Sequence, residues 1–173
     1  GSEMCIRDRL EDTQGNYLST VYVTHKIATQ SWQASGGNRR KEALPHWCYS
    51  RGVKYDDGLY LPTKKEPLID GISGATPHES FDIKLNPATA LKKFVVKIEI
   101  NHSTDFNEAF PKSAKDGEAN YSGGKEGSGQ PAIVYAANVD LSKGEKSFEA
   151  NLMGHSSPDG SSGEVNKDCL LYT

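Results

Sequence analysis

An alternation of apolar and polar residues with a period of two most constrains the fold of this 173-residue chain. In KKFVVKIEIN, residues 92–101, the two sets of side chains fall on opposite faces of a strand. The apolar set is Phe94, Val96, Ile98 and Ile100, and the polar set is Lys97, Glu99 and Asn101. The same alternation runs through AIVYAANVDL and SFEANLM, which DLSKGEKS joins as a hairpin turn. The pattern predicts antiparallel strands.

Further signals complete this prediction. EDTQGNYLSTVYVTH indicates the end of one strand, a turn at residues 13–16 and a second strand, and FDIKL indicates another short strand. RRKEALPHWCYSRG predicts one short helix, which Pro45 limits. We therefore expect an all-β fold, an immunoglobulin-like antiparallel β-sandwich with long loops and at most one short helix.

Composition excludes several classes of protein. The net charge of −3 gives no reason to expect nucleic acid or an anionic membrane as a partner. No run of about 20 apolar residues exists, so the sequence predicts no membrane span. The hydrophobic content of 35%, with 17 Gly and 8 Pro, indicates many turns around a modest core.

The two ends of the chain do not suit the domain between them. GSEMCIRDR resembles the translated adapter and transposon end of a tagmentation sequencing library, and CLLYT resembles its reverse complement. We therefore expect residues 1–9 and 169–173 to be adapter-derived, non-native and without native packing. Residues 10–168 would then form a single domain truncated at both ends, with Cys48 as its one cysteine and no disulfide framework.

The stretch IDGISGATPHES carries the sharpest chemical motif. Asp70, Ser73, Gly74, Ala75 and Thr76 resemble the D-x-x-[ST]-G-A-T signature at which bacterial flavin transferases attach FMN through a phosphoester to the final threonine. Gly74 would allow close approach of a phosphate or take a positive φ, while Asp70 would position a metal or accept the hydroxyl proton. The alternative is a tight turn that leads into FDIKL, with Thr76 bonded to backbone.

Aromatic and basic residues precede this motif. Trp32 and Trp47 could provide a flat platform for a flavin ring or a sugar, and Arg40 could hold a phosphate. Tyrosines 49, 55 and 60 lie in the same segment. The alternative is that the tryptophans fill the core and the arginine is solvated.

A metal site is a further hypothesis. His102, Asp105 and Glu108 lie close together in NHSTDFNEAF, and His155 precedes an aspartate in GHSSPDG. Nitrogen and oxygen donors of this kind could hold a metal ion of unknown identity, although the spacing matches no specific metal motif. Separate loop histidines that cap turns are the alternative.

The order of segments along the chain resembles a known family. These segments are YLSTVYVT, RRKEALPHW, GLYLPT, IDGISGATP, VKIEINHSTDFNEAF, GQPAIVYAANVDL and LMGHSSPDGSSGEV. Together they resemble the bacterial family of predicted periplasmic proteins called domain of unknown function 2271. The resemblance implies a periplasmic or otherwise extracytosolic location, with flavin transferases and membrane redox proteins as partners. It implies no reaction.

Two functional hypotheses follow from these residues. The first is an FMN-carrying or flavin-associated electron-transfer partner, in which the flavin supplies the redox chemistry. The second is a non-catalytic binding module for a glycan, a metal ion or a partner protein. Both describe a carrier or binding domain rather than an enzyme, and no G-x-S-x-G elbow supports a hydrolase.

Overall fold

The computed structural model describes residues 4–32, 39–69, 71–75, 80–84 and 91–168. Its strands are β1 (Met4–Glu11), β2 (Tyr17–Thr24), β3 (Ile72–Gly74), β4 (Lys93–His102), β5 (Ile133–Asp140) and β6 (Asn151–His155). Two short helices, α1 (His25–Thr29) and α2 (Pro45–Ser50), lie between β2 and β3. Within the described residues, no helix is long and apolar enough to cross a membrane.

The six strands form one mixed sheet in the order β3-β2-β1-β4-β5-β6. Neighbouring strands are antiparallel, except that β3 runs parallel to β2. The mainly-β class is therefore confirmed. The parallel strand departs from the predicted all-antiparallel pattern, because the connection from β2 through α1 and α2 returns the chain to the same edge in the same direction.

The first strand lies at the centre of this sheet, which corrects the expectation of absent native packing for residues 4–9; residues 1–3 lie outside the described residues. Along its length β1 pairs with β4, from Met4 opposite His102 to Glu11 opposite Val95, and its other edge pairs with β2. Cys5 and Ile6 are buried on opposite faces. Residues 169–173 lie outside the described residues.

Several predicted elements are confirmed and others are not. The turn at 13–16 separates β1 from β2, and β4 and β5 coincide with the two longest alternating stretches. Residues 81–84 of FDIKL form no strand, and Leu85 lies outside the described residues. Within SFEANLM, strand β6 begins only at Asn151.

The described residues form two short α-helices, where at most one was expected. Pro45 starts α2 rather than limiting it, because proline at the first helical position loses no hydrogen bond and already has a helical φ. The five-residue α1 follows β2 directly and has no periodic sequence signal.

The sheet has one polar and one apolar face. On β4 the polar residues are the more buried ones: Glu99 is 0% and Asn101 1% exposed, whereas the alternating apolar residues are half-buried. The alternation is confirmed, but the more buried face is the polar one. The reason is that α2 and its flanking segments cover that face, with Trp47 and Leu44 in the larger core cluster.

The opposite side of the sheet, the apolar face, is covered less. Its smaller cluster contains Ile6, Leu10, Val21 and Tyr22 from β1 and β2, joined by Phe94, Val96 and Ile100 from β4. Ile83, from outside the strands, packs against this cluster. The apolar face extends to both ends of the sheet, where Ile72 of β3 is 53% exposed and Leu152 of β6 is 49% exposed.

Candidate functional site

The described part of the flavin-attachment-like motif lies on the β3 edge of the sheet. Tyr22 and Val23 of β2 pair with Ile72 and Ser73, and β3 is the last strand on this side. Ser73 and Ala75 are exposed. A short edge strand therefore presents the motif at the surface.

Tyr22 fixes the backbone of the motif. Its hydroxyl donates a 2.6 Å hydrogen bond to the carbonyl oxygen of Ala75. Gly74 lies against the tyrosine ring, since a Cβ at this position would be 3.2 Å from ring atoms of Tyr22. Close approach to this ring explains the glycine, and Gly74 does not adopt a positive φ.

An exposed apolar surface lies beside this edge strand. The ring of Phe81 is 5.3 Å from that of Tyr22 and is tilted by 48°. Phe81 is 42% exposed and Ile72 is 53% exposed. Large apolar side chains that stay in water at a surface often mark a place where an apolar group binds.

Asp70 and Thr76 lie outside the described residues. The described residues on either side of them, Ile69, Ala75 and Ser80, are all exposed. Ile69 is 93% exposed. The chain therefore enters and leaves the motif at the surface.

Trp32 and Trp47 do not join this site, because both are buried in the core on the polar face. The indole Nε1 of Trp32 donates to Gln30 Oε1 at 3.0 Å, and that of Trp47 donates to Thr20 Oγ1 at 3.2 Å. The prediction that they form a platform for a ring beside the motif is therefore wrong. Their apolar bulk instead closes the core between the sheet and α2.

Arg40 is also buried and does not reach the motif. Its guanidinium contacts Glu42 Oε1 at 3.2 Å, Ser103 Oγ at 2.6 Å and Ser128 Oγ at 3.0 Å. It lies over the ring of Trp32, at 4.7 Å from the centroid. Arg40 therefore joins three segments of the fold and is not placed to hold a phosphate at β3.

The predicted metal residues do not meet as a metal centre. Within the described part of the chain, no three His, Cys, Asp or Glu residues are grouped so that they could hold an ion. Asp105 Oδ2 accepts a hydrogen bond from Gln130, and His102 and Glu108 are exposed. His155 is buried, with Nδ1 2.9 Å from the carbonyl oxygen of Ser156. His102 and His155 are the last residues of β4 and β6, whereas Asp105 and Glu108 lie in the loop after β4.

A buried charged cluster on the polar face was not predicted. Its buried members are Arg7, Arg9 and Glu11 on β1 and Glu99 on β4, and the half-buried Lys97 of β4 joins them through Glu11. The carboxylate of Glu99 accepts hydrogen bonds from the backbone nitrogens of the first turn of α2, at 3.1 and 2.8 Å. Burial raises the pKa of Glu99, and the nearby arginines oppose that shift. The polar half of the β4 alternation was the one available sequence signal for this cluster.

Cys48, one of two buried cysteines in the part of the chain that the structure describes, is not reactive. Burial raises the pKa of the Cys48 thiol to about 12, and the thiol is fully enclosed. Burial also lowers the pKa of His46 to about 4, and His46 Nδ1 lies 2.6 Å from the carbonyl oxygen of Gly163. A thiol this hard to ionise is not a nucleophile at neutral pH.

Two half-buried tyrosines form a second aromatic group. The rings of Tyr49 and Tyr60 are stacked, with centroids 4.4 Å apart and planes at 29°. The hydroxyl of Tyr49 donates to the carbonyl oxygen of Ser161 at 2.6 Å. Arg39 lies 5.8 Å from the ring of Tyr55.

In comparisons with known proteins, no family model, no curated protein and no solved structure matches the chain.

Proposed function

We propose that this chain is a flavin-carrying electron-transfer domain in which FMN is attached to Thr76 through a phosphoester. The observation that carries the proposal is the position of the motif. Ser73 and Gly74 lie on an exposed edge strand, Gly74 is two residues before Thr76 in the sequence, and the Tyr22 hydroxyl donates a hydrogen bond to the Ala75 carbonyl. A transferase must reach the threonine hydroxyl, so a surface position is required.

The apolar surface beside β3 supports the same proposal. Ile72 and Phe81 remain largely exposed next to the motif. An isoalloxazine ring tethered at Thr76 could lie on this surface and cover it. The flavin would supply the redox chemistry, and the protein would set its exposure to water.

The attachment step requires an activated flavin. The Thr76 hydroxyl oxygen would attack the phosphorus on the FMN side of a flavin pyrophosphate such as FAD, and the bond to the leaving adenylate would break. The hydroxyl proton would pass to a base, a role for which Asp70 is the residue of this chain in the right part of the motif. No electron changes hands in this step.

The family resemblance, the immunoglobulin-like arrangement of the sheet and the periplasmic location belong to the same proposal. The order of the sequence segments supports all three. A flavin transferase and a membrane redox protein are the partners that this function requires.

Mass spectrometry tests the attachment. The chain is coexpressed with an active flavin transferase, and the peptide that contains Thr76 should gain the mass of FMN less water. Thr76→Ala should abolish the addition, whereas Ser80→Ala, an exposed hydroxyl residue four positions further along the chain and outside the motif, should keep it. An unmodified wild-type peptide, beside a positive control substrate for the transferase, would refute the proposal.

The second candidate function is a binding module for a glycan at the stacked tyrosines. The half-buried Tyr49–Tyr60 pair is the observation that favours it, because sugar faces pack on aromatic rings. Titration of soluble oligosaccharides against the wild type and against Tyr60→Ala tests this candidate. Unchanged tyrosine fluorescence in both proteins would argue against it.

A further inference from the structure

The apolar face of the sheet carries a carboxyl group at Asp8, on the central strand β1. Asp8 lies opposite Tyr22 of β2 on one side and opposite Ile98 of β4 on the other. Its neighbours on this face along β1 are the buried Ile6 and Leu10. A carboxyl group among apolar side chains is disfavoured in its charged form, so its position here calls for a reason.

The groups around Asp8 do not pair with its carboxyl group. The guanidinium of Arg7 lies against Trp47 on the polar face, and the Tyr22 hydroxyl is donated to the Ala75 carbonyl oxygen. Asp8 Oδ1 is buried and makes no hydrogen bond with the described residues. Burial raises the pKa of Asp8 to about 6, and the charge of Arg7 opposes that rise. A further charge nearby would therefore change the protonation of Asp8 close to neutral pH.

Asp8 lies beside the surface that the flavin would cover. Ile72, Tyr22 and Asp8 form a row across β3, β2 and β1. Neighbouring strands are about 4.8 Å apart, so Asp8 is about 10 Å from Ile72. Phe81, which is exposed, packs on Tyr22 in the middle of this row. A three-ring isoalloxazine that covers Ile72 and Phe81 would thus come near the Asp8 carboxyl group.

We propose, on the basis of FMN attachment at Thr76, that Asp8 binds a proton from water when the flavin on this surface is reduced and releases it when the flavin is reoxidised. Reduction brings two electrons from a redox partner protein and one proton to the ring, which then carries one negative charge. The Asp8 carboxylate is a like charge across an apolar region, so it takes up a second proton. Asp8 is half-buried, so water can supply this proton. Two electrons and two protons are gained together, and all are lost on reoxidation.

The midpoint potential of the full, FMN-loaded chain, measured between about pH 5 and pH 9, tests the proposal. Above about pH 6 the potential of the wild type should fall more steeply with pH than that of Asp8→Asn. The difference should reach about 30 mV per pH unit, because one extra proton for two electrons changes the equilibrium constant tenfold per pH unit. Below that pH the two slopes should agree, since Asp8 is then protonated in both redox states.

The matched control is Asp82→Asn, which removes an exposed carboxylate next to Phe81 and outside the strands. This variant should keep the steeper wild-type slope. The mass of each sample shows first whether FMN is attached. With FMN attached, equal slopes for the wild type and Asp8→Asn, or an equal loss of slope in Asp82→Asn, would overturn this inference alone. A chain that an active transferase leaves without FMN would refute the flavin attachment and this inference with it.

Discussion

At the scale of single residues, the backbone of β1 pairs with a strand on each side, but several of its buried side chains make no hydrogen bond. All three guanidinium nitrogens of Arg7 are buried without a hydrogen-bond partner, as are Asp8 Oδ1 and both terminal nitrogens of Arg9. Arg7 lies against the ring of Trp47, where burial lowers the pKa of its guanidinium well below the usual value. A buried charge that makes no hydrogen bond costs several kcal/mol.

Replacing Arg7 should therefore stabilise the protein. Arg7→Met keeps most of the side-chain volume beside Trp47 and removes a buried charge that makes no hydrogen bond. Because this gain exceeds the lost attraction to Glu99, we expect the free energy of unfolding to rise by about 1–3 kcal/mol. Urea unfolding followed by circular dichroism measures the change.

The control for that substitution is Arg9→Met, two residues further along the same face. Arg9 Nε donates to Glu11 Oε1 at 2.7 Å, so this variant leaves a buried carboxylate less well compensated and should be less stable than the wild type. If both variants lost stability, Arg7 would not be an unfavourable buried charge.

Asp8 should make stability depend on pH. Burial raises its pKa from 3.8 to about 6, and the charge of Arg7 opposes that shift. The folded state thus disfavours the carboxylate, so stability is highest below the unfolded pKa and is lost as the pH rises through about 6.

Comparison with Asp8→Asn isolates this effect. Relative to that variant, the wild type should lose about 2–3 kcal/mol in the free energy of unfolding between about pH 4 and pH 7. Urea titrations of both proteins across this range give the difference. A difference that does not change with pH would show that the Asp8 pKa is not raised.

At the scale of elements, the sequence signals were strongest where a strand has its own alternation and weakest where tertiary contacts decide. Strands β4 and β5 and the turn before β2 follow their local patterns. The three-residue β3 carries no such pattern, because its pairing with β2 depends on the Tyr22 contacts with Gly74 and Ala75. The burial of Glu99 likewise depends on α2, because the Glu99 carboxylate accepts hydrogen bonds from backbone nitrogens of that helix.

In the candidate site, too, some features follow from the local sequence and others depend on tertiary contacts. The exposed position of Ser73 follows from a polar, glycine-containing stretch, which sequence alone indicates. The burial of Trp32 and Trp47 in the core does not follow from the sequence, because an aromatic residue suits a core and a ligand platform equally well. Only packing against the sheet decides between the two.

The hydroxyl of Tyr22 should control the order of the β3 edge. Tyr22→Phe keeps the ring beside Gly74 and removes the bond to the Ala75 carbonyl, which is worth about 1 kcal/mol. Amide hydrogen exchange at residues 72–75 should become faster. Tyr135→Phe on β5, the control, should leave these amides unchanged, and equal exchange in all three proteins would exclude this role for Tyr22.

At the scale of the whole molecule, β1 joins two parts of the sheet. Its removal would leave β2 with β3 on one side and β4, β5 and β6 on the other, each with a newly exposed long edge. The larger core cluster would lose Cys5 and the smaller one would lose Ile6. The sheet therefore depends on the segment whose sequence resembles library adapter.

Deleting residues 1–9 tests this dependence. We expect the shortened chain to lose cooperative unfolding and to aggregate, because neither part of the divided sheet buries its faces. Thermal unfolding and a two-dimensional amide NMR spectrum provide the measurement. A dispersed spectrum from the shortened chain would show instead that the fold does not need β1.

The place of β1 in the sheet also governs when the protein can fold. Ile6 pairs with Ile100, so the N-terminal hairpin must wait for a strand that is synthesised much later. Pairings between distant parts of a chain slow folding, and until β4 arrives the hairpin presents an open edge to other chains. While the chain is still on the ribosome, chaperones would thus need to shield the open edge of this hairpin until β4 has left the exit tunnel.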